Sequence, residues 1–235
     1  MGNGEVRIVF LSDLHYALQA NLSCPKRKGE YAPALLARLV KKINWEIKPD
    51  LVLCGGDIIN FPEADEAERL TGIMADILAL CNMPLVVVRG NHDIAGDGFN
   101  RYFPLSEVTD AGFVRIVAFD DEERPGYNAR RSQTDIQRMI QAAENFDGVL
   151  FSFQHVPLLP AGCCVFGYEN SAEILEVMRR NRYRGTLSGH YHRGIELFTD
   201  DSLQFFVQSA LCEEPFSASL LRIDRNGIAA IRTIE

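Results

Sequence analysis

The chain has few of the features that mark a membrane, secreted or nucleic-acid-binding protein. No apolar run is long enough to span a bilayer, and the first residues do not form a secretory leader, so a cytoplasmic location without a membrane is the expectation. Met1-Gly2 opens like a myristoylation signal, but Val6 occupies the position that needs Ser or Thr. The six cysteines show no C-x-x-C spacing, which argues against a structural zinc site and a disulfide framework. Cys54 and Cys81 lie in apolar runs and read as small core residues; Cys163 and Cys164 read as buried ones. Basic charge is in deficit: 24 Lys and Arg stand against 32 Asp and Glu, a net −8. A broad nucleic-acid footprint needs clustered cations, so the balance counts against that partner. There is no internal repeat, low-complexity segment or linker. With 235 residues and 47% hydrophobic content, one domain over 1–235 is expected. The single tryptophan, Trp45, falls in a helical pattern and reads as a packing residue.

Histidine is scarce and placed with order. The five are His15, His92, His155, His190 and His192, and each follows a short apolar run. Asp13-Leu14-His15 follows Val6–Leu11; Gly56-Asp57 follows Leu51–Cys54; Gly90-Asn91-His92-Asp93 ends Pro84–Arg89; His155 follows Val149–Phe153; Gly189-His190-Tyr191-His192 follows Gly185–Ser188. β-branched runs such as Val86-Val87-Val88 read as buried strands, and ligands bind at the carboxyl ends of strands in α/β sheets. A chain using histidine for packing would scatter it.

The periodicities predict an α/β protein. Strands are read at 6–12, 50–54 and 84–89, separated by an amphipathic helix at 32–47 and a second helix opening at Phe61-Pro62 with Ala67, Leu70, Met74, Ile77 and Leu78 on one face. This βαβαβ opening predicts parallel strands with right-handed crossovers and brings Asp13, Asp57 and Asn91 to one sheet edge. Further on come a strand at 112–119, a helix from Ser132-Gln-Thr-Asp135 (a capping-box pattern) to about 146, a strand at 149–153 and a helix from Asn170 or Ser171 to Asn181. From Gly185 onward short strands with turns predict an antiparallel sheet packed on the first, with Asp224–Gly227 as a hairpin turn. Loops at 16–31, 95–110 and 157–169 would choose the substrate, and Arg193 reads as a solvated surface residue.

The residue types at those strand ends suit metal chemistry. Asp13 and His15, two apart, would point the same way in extended backbone. Asp57 has two oxygens with which to bridge two ions, Asn91 offers an amide oxygen, and His155, His190 and His192 offer imidazoles. Imidazole and carboxylate without thiolate suit Mn, Fe, Co, Ni or Zn. In two-metal sites, ions about 3.5–4 Å apart activate water and clamp the attacking and leaving oxygens of a phosphoryl group.

Asp-x-His, Gly-Asp, Gly-Asn-His-Asp, a lone His before Pro-containing sequence, and Gly-His-x-His, in this order from Asp13 to His192, resemble the calcineurin-like metallophosphoesterase superfamily. The resemblance implies a four-layer α-β-β-α sandwich of two mixed sheets. It implies two divalent metal ions (manganese, iron as Fe2+/Fe3+, or zinc), with Asp13, His15, Asp57 and His192 on the first and Asp57, Asn91, His155 and His190 on the second. His92 would then serve the phosphate or leaving group rather than a metal, with Asp93 orienting it and Asn91 beside it at the substrate. A small-molecule phosphoester would be hydrolysed by a metal-bound hydroxide. Gly56-Asp57 runs into Ile58-Ile59 rather than the Asp-Arg-Gly element of protein Ser/Thr phosphatases. Size and Gly-Asn-His-Asp are more similar to the bacterial cyclic-nucleotide and glycerophosphodiester phosphodiesterase branch, although Gln154 stands where that branch often has a second histidine, and Asn60 where an acid is common. Phosphomonoesterase, nuclease, or a non-catalytic metal-binding interaction module remain the alternatives, and an oligomer is compatible with all of them.

Overall fold

A computed structural model describes residues 4–235; Met1 and Gly2 of the myristoylation-like opening lie outside the described residues. The β-branched runs form two mixed sheets. In the first, β1 (Val6–Leu11), β2 (Leu51–Cys54) and β3 (Leu85–Val87) are parallel neighbours. In the second, β4 (Val108–Ala111) pairs antiparallel with β5 (Val114–Ala118), which runs parallel to β8 (Val149–Gln154) and, through it, to β9 (Tyr183–Ser188). Between β5 and β8 lies a separate hairpin of β6 (Glu122–Arg124) and β7 (Asn128–Arg130).

The remaining strands correct the expected C-terminal sheet, because they divide between the two sheets. β10 (Ile195–Asp200) and β11 (Leu203–Val207) extend the second sheet, with β11 parallel to β9. β12 (Ala218–Asp224) and β13 (Gly227–Ile234) extend the first, antiparallel to β1 and to each other. The orders are therefore β13-β12-β1-β2-β3 and β10-β11-β9-β8-β5-β4.

Side-chain alternation sets the layers. Ile8 and Phe10 of β1 with Leu51 and Leu53 of β2 pack against Ile116, Phe151, Phe153 and Leu187 of the second sheet. The opposite faces of β1 and β2, through Val9, Leu11, Val52 and Cys54, pack on α1 (Ala32–Lys42) and α2 (Ala67–Leu78). On the far side, Val117, Leu150 and Phe205 pack on α4 (Gln133–Ala143) and α5 (Ser171–Arg180). This is the expected four-layer α-β-β-α sandwich.

Several local expectations shift. The 32–47 helix is α-helical only to Lys42; Ile43–Ile47 continues as a wider π turn that ends at Lys48 in left-handed backbone. Trp45 lies on the outer side of that turn and is 73% exposed, so it is not a packing residue. The second helix starts at Ala67 rather than at Phe61, and the 95–110 loop contains α3 (Gly96–Tyr102), whose Phe99 is buried in the first helical layer. The 112–119 strand begins after a turn, with Gly112 at φ 59°. Cys54 is buried as expected, but Cys81 and Cys164 are only half-buried and Cys163 is exposed, which corrects the reading of these three as buried residues. Arg193 is exposed, as expected.

Candidate metal centre

The carboxyl ends of β1, β2, β8 and β9 and the segment after β3 meet at one place, and the turns there are tied to one another by backbone bonds. Asp13 N–H donates to Gly56 O (3.0 Å), and Leu14 and His15 N–H both donate to Asp57 O (2.9 and 2.8 Å). Gly189 N–H donates to His155 O (2.9 Å) and Cys212 N–H to Asp13 O (3.2 Å). Asp13 and His15 converge through this turn, not through extended backbone: their φ values are 57° and 48°, and Asp57 (52°) and His190 (66°) are left-handed as well. Each such residue costs on the order of 1–3 kcal/mol, and such strain clusters at functional sites. Gly90 has no alternative for a simpler reason. A Cβ there would collide with the Asp57 carboxylate.

The donor atoms form two groups that share Asp57. In one, His15 Nε2 lies 3.0 Å from His192 Nε2 and 3.3 Å from Asp57 Oδ2, while Asp13 Oδ1 lies 3.8 Å from His15 Nε2 and 3.6 Å from His192 Nε2. In the other, His155 Nε2 lies 3.4 Å from Asp57 Oδ2, 3.2 Å from Asn91 Oδ1 and 3.1 Å from His190 Nδ1. Asp13, His15, Asp57, His155 and His190 are all buried.

This donor set fits metal ions. Asp13 Oδ1 is buried and receives no hydrogen bond among the described residues, and two pairs of imidazole nitrogens face each other, His15 Nε2 with His192 Nε2 at 3.0 Å and His155 Nε2 with His190 Nδ1 at 3.1 Å. Donors on one ion with bonds of about 2.0–2.1 Å stand roughly 3.0–3.4 Å apart, which is the spacing among the imidazoles, Asp57 and Asn91, while Asp13 Oδ1 stands a little wider at 3.6 and 3.8 Å. Two of the four rings are anchored from behind so that Nε2 faces the donor group, whereas His15 Nδ1 and His190 Nε2 are buried without a hydrogen-bond partner among the described residues. His155 Nδ1 donates to Gly55 O (2.6 Å), and His192 Nδ1 donates to Glu213 Oε1 (2.6 Å). Cys212 brings its sulfur close to the His15 and His192 nitrogens; burial raises its thiol pKa, and the Asp13 charge raises it further. Sequence reading missed Glu213 and Cys212, since both arrive from the segment after β11 and carry no local motif.

Electrostatics follow from burying so many groups together. Burial opposes the Asp57 charge, but the His155 and His15 rings outweigh it and hold the carboxylate well below its ordinary range. Burial likewise opposes charging His155, yet Asp57 and Asp13 push it up to about 10. Burial and the neighbouring His155 charge push His190 down to about 3.

His92 sits at the edge of the first group, its ring 4.7 Å from that of His15. Its orientation corrects the expectation for Asp93. His92 Nδ1 donates to the backbone carbonyl of Asn60 (2.8 Å), while the Asp93 carboxylate accepts from Gly90 N–H (2.9 Å), Ile58 N–H (2.7 Å) and Ile59 N–H (3.3 Å). Asp93 therefore clamps the Asp57 turn to the β3 turn. Burial, and then the charge on Asp57, push its pKa up to about 7. Asn60 accepts from Arg27 Nη1 with its side-chain oxygen (2.7 Å), which brings an arginine of the 16–31 loop into the neighbourhood. Gln154 is fully buried and bonds Ser188 Oγ (2.8 Å) and Leu187 O (3.3 Å), so it braces the strands behind His155.

The family model for calcineurin-like phosphoesterases matches residues 6–194. The chain belongs to that family. This calcineurin-like phosphoesterase is 23% identical over 198 residues to a probable cyclic nucleotide phosphodiesterase of Rhodococcus erythropolis, with 79% of this chain and 64% of that protein covered. It is 26% identical over 190 residues to a cAMP/cGMP dual specificity phosphodiesterase of Mycobacterium tuberculosis, covering 75% and 59%. The chain thus spans less than two thirds of the length of both relatives. Its fold is similar to that of a dimetal phosphatase from Danio rerio, with a TM-score of 0.77, 16% identity, and 97% and 98% of the two chains covered. No helix among the described residues is long and apolar enough to cross a membrane.

Proposed function

We propose that this chain is a dimetal phosphoric-ester hydrolase that acts as a phosphodiesterase on a small or nucleotide-like substrate. The observation that carries the reading is the pair of donor groups sharing the Asp57 carboxylate. Asp13, His15, Asp57 and His192 would hold one ion, and Asp57, Asn91, His155 and His190 the other. Bound there, two divalent ions would supply Lewis-acid activation of water and neutralise charge on phosphorus-bound oxygens. Family membership and the two relatives named as phosphodiesterases support the reaction class.

The protein's own groups do the rest. Asp57 sets the spacing between the two donor groups, because its Oδ2 faces both His15 and His155. Its Oδ1 accepts from His92 N–H at 2.9 Å, which places the His92 backbone beside the donors. With Nδ1–H donating to Asn60 O, the His92 ring presents Nε2 toward the site, and as the imidazolium it would give that nitrogen's proton or hydrogen bond to the phosphoryl or leaving oxygen. A soluble phosphoester and a cytoplasmic setting fit this reading, with manganese, iron or zinc as the ions.

The test is hydrolysis of bis-p-nitrophenyl phosphate and p-nitrophenyl phosphate after manganese loading. Wild type is expected to turn over the diester faster. Asp57→Ala should lose turnover together with bound metal, and His92→Ala should lose on the order of 10²–10⁴-fold in kcat while metal content is retained. Full activity in His92→Ala would remove that residue's role. Absence of turnover on both esters with two metals bound would favour the non-catalytic module.

A further inference from the structure

A cavity of about 280 Å³ opens on the second donor group, with Asn91 and His155 in its wall. Its outer wall is the β6–β7 hairpin, a segment the sequence patterns leave unassigned. At the hairpin tip Gly126 and Tyr127 are both left-handed, at φ 80° and 62°. The loop Pro125-Gly126-Tyr127 closes the Arg124–Asn128 pair, and positive φ is uncommon outside Gly, Asn, Asp and His. A tyrosine there is unusual. Its side chain is not buried for packing either, being 63% exposed. The ring lines the cavity, lies 6.4 Å from the His190 ring, and is backed edge-on by Phe166 at 6.4 Å and 88°. Phe166 itself meets His190 edge-to-face at 4.5 Å. Asn128 holds the assembly in place, since its Oδ1 accepts from Gly167 N–H (3.0 Å) and its Nδ2 donates to Pro125 O (3.0 Å).

The cavity is charged in composition but balanced in fact. Arg89 bonds Asp120 (3.1 Å) and Glu123 (2.9 Å). Asp121 receives Arg131 Nη2 (2.7 Å) and the Tyr168 hydroxyl (2.6 Å). Arg124 is met by Glu122 (3.0 Å) and Glu169 (3.4 Å). A cationic headgroup entering here finds each of these carboxylates already engaged by arginine, and a second phosphate finds each of these guanidiniums engaged by a carboxylate. What remains to recognise a ligand is the aromatic face of Tyr127 and its hydroxyl. The volume lies just below the roughly 300–1,000 Å³ of ligand pockets, room for one ring system rather than a polymer.

We infer that this cavity is the subsite for a neutral, planar aromatic group of the substrate, of nucleobase type, with Tyr127 as its stacking platform and specificity-determining residue. The inference rests on the phosphoesterase reading of the adjoining centre, from which the phosphoryl group would be held. Phe166 and Asn128 are positioning residues, acting through Tyr127.

Calorimetric binding of adenosine 5′-monophosphate, phosphocholine and inorganic phosphate to the manganese-loaded protein tests it without requiring turnover. Adenosine 5′-monophosphate is expected to bind more tightly than the other two. Tyr127→Ala should weaken it by roughly tenfold, toward the affinity of inorganic phosphate, and Tyr127→Phe should restore it, since base stacking on an aromatic ring needs the face and not the hydroxyl. Thermal melts establish that both variants are folded. Equal affinities for adenosine 5′-monophosphate and phosphate, tighter phosphocholine, or equal losses for all three ligands in Tyr127→Ala would each overturn the proposal. Turnover of phosphoesters without preference for the nucleotide would remove the subsite alone. Nucleotide preference without turnover of any ester would remove the hydrolase reading alone.

Discussion

At the scale of single residues, the centre depends on which atom of each side chain is committed elsewhere. A metal-binding imidazole needs its other nitrogen occupied as a donor, because that fixes the tautomer and the ring orientation. In the proposed centre Gly55 O would do this for His155 and the Glu213 carboxylate for His192. The two are not equivalent. A backbone carbonyl survives mutation of its own side chain, whereas Glu213 is removable. Glu213→Gln keeps an acceptor oxygen but loses the charge, and Glu213→Ala loses both. Metal affinity is expected to fall about tenfold or more in Glu213→Ala and less in Glu213→Gln, read by titration against a competing chelator. Equal affinity in wild type and Glu213→Ala would show that His192 needs no carboxylate behind it.

At the scale of elements, the chain is held by short devices at the ends of otherwise unremarkable helices and strands. The Ser132 pattern is one. Ser132 Oγ accepts from Asp135 N–H (3.0 Å) at the start of α4, so one of the helix's free donors is satisfied locally. Ser132→Ala should cost about 1 kcal/mol, a fall of roughly 2–4 °C in Tm for a domain of this size, with metal content unchanged. No residue of this helix belongs to the donor groups, so a loss of metal would contradict the assignment of this cap as purely structural. The strand ends behave differently. Their residues adopt left-handed backbone and are clamped from outside by Asp93, whose carboxylate accepts from three backbone amides on two turns.

For the molecule as a whole, metal binding and folding are linked through charge. Without metal, His155 is held protonated up to about pH 10 beside Asp57. If His155 holds an ion through Nε2 as proposed, that ion would displace the proton, so loading near pH 7 would release about one proton from this ring and affinity would rise with pH. Calorimetry in buffers of different ionisation enthalpy measures the proton directly. The same shift affects stability. A histidine whose folded pKa exceeds its ordinary 6.5 stabilises the metal-free fold below that value, and the contribution is lost as pH rises through about 10. Ions bound to the folded chain alone stabilise it by about 2.7 kcal/mol at a hundredfold excess over Kd. The Tm gap between loaded and chelator-treated protein should therefore widen from pH 6.5 toward pH 10. A gap that narrows would refute the His155 assignment.

The sequence by itself determined the parts governed by local rules: the β-branched runs of β1, β2 and β8, the helical faces of α1, α2, α4 and α5, the Ser132 cap, and the motif residues that arrive at strand ends. Each depends on neighbours a few positions away, and so is written in spacing and residue type. Only the tertiary structure decided the rest. Which sheet receives β10 to β13 depends on edges left open by strands far away in the chain. Asp93 turned from an orienting group for His92 into a clamp because three amides from two turns reach its carboxylate first. Glu213 stands behind His192, and Tyr127 over His190, by folding alone. Contacts between residues 21 and 63 positions apart leave no periodicity for a sequence to show.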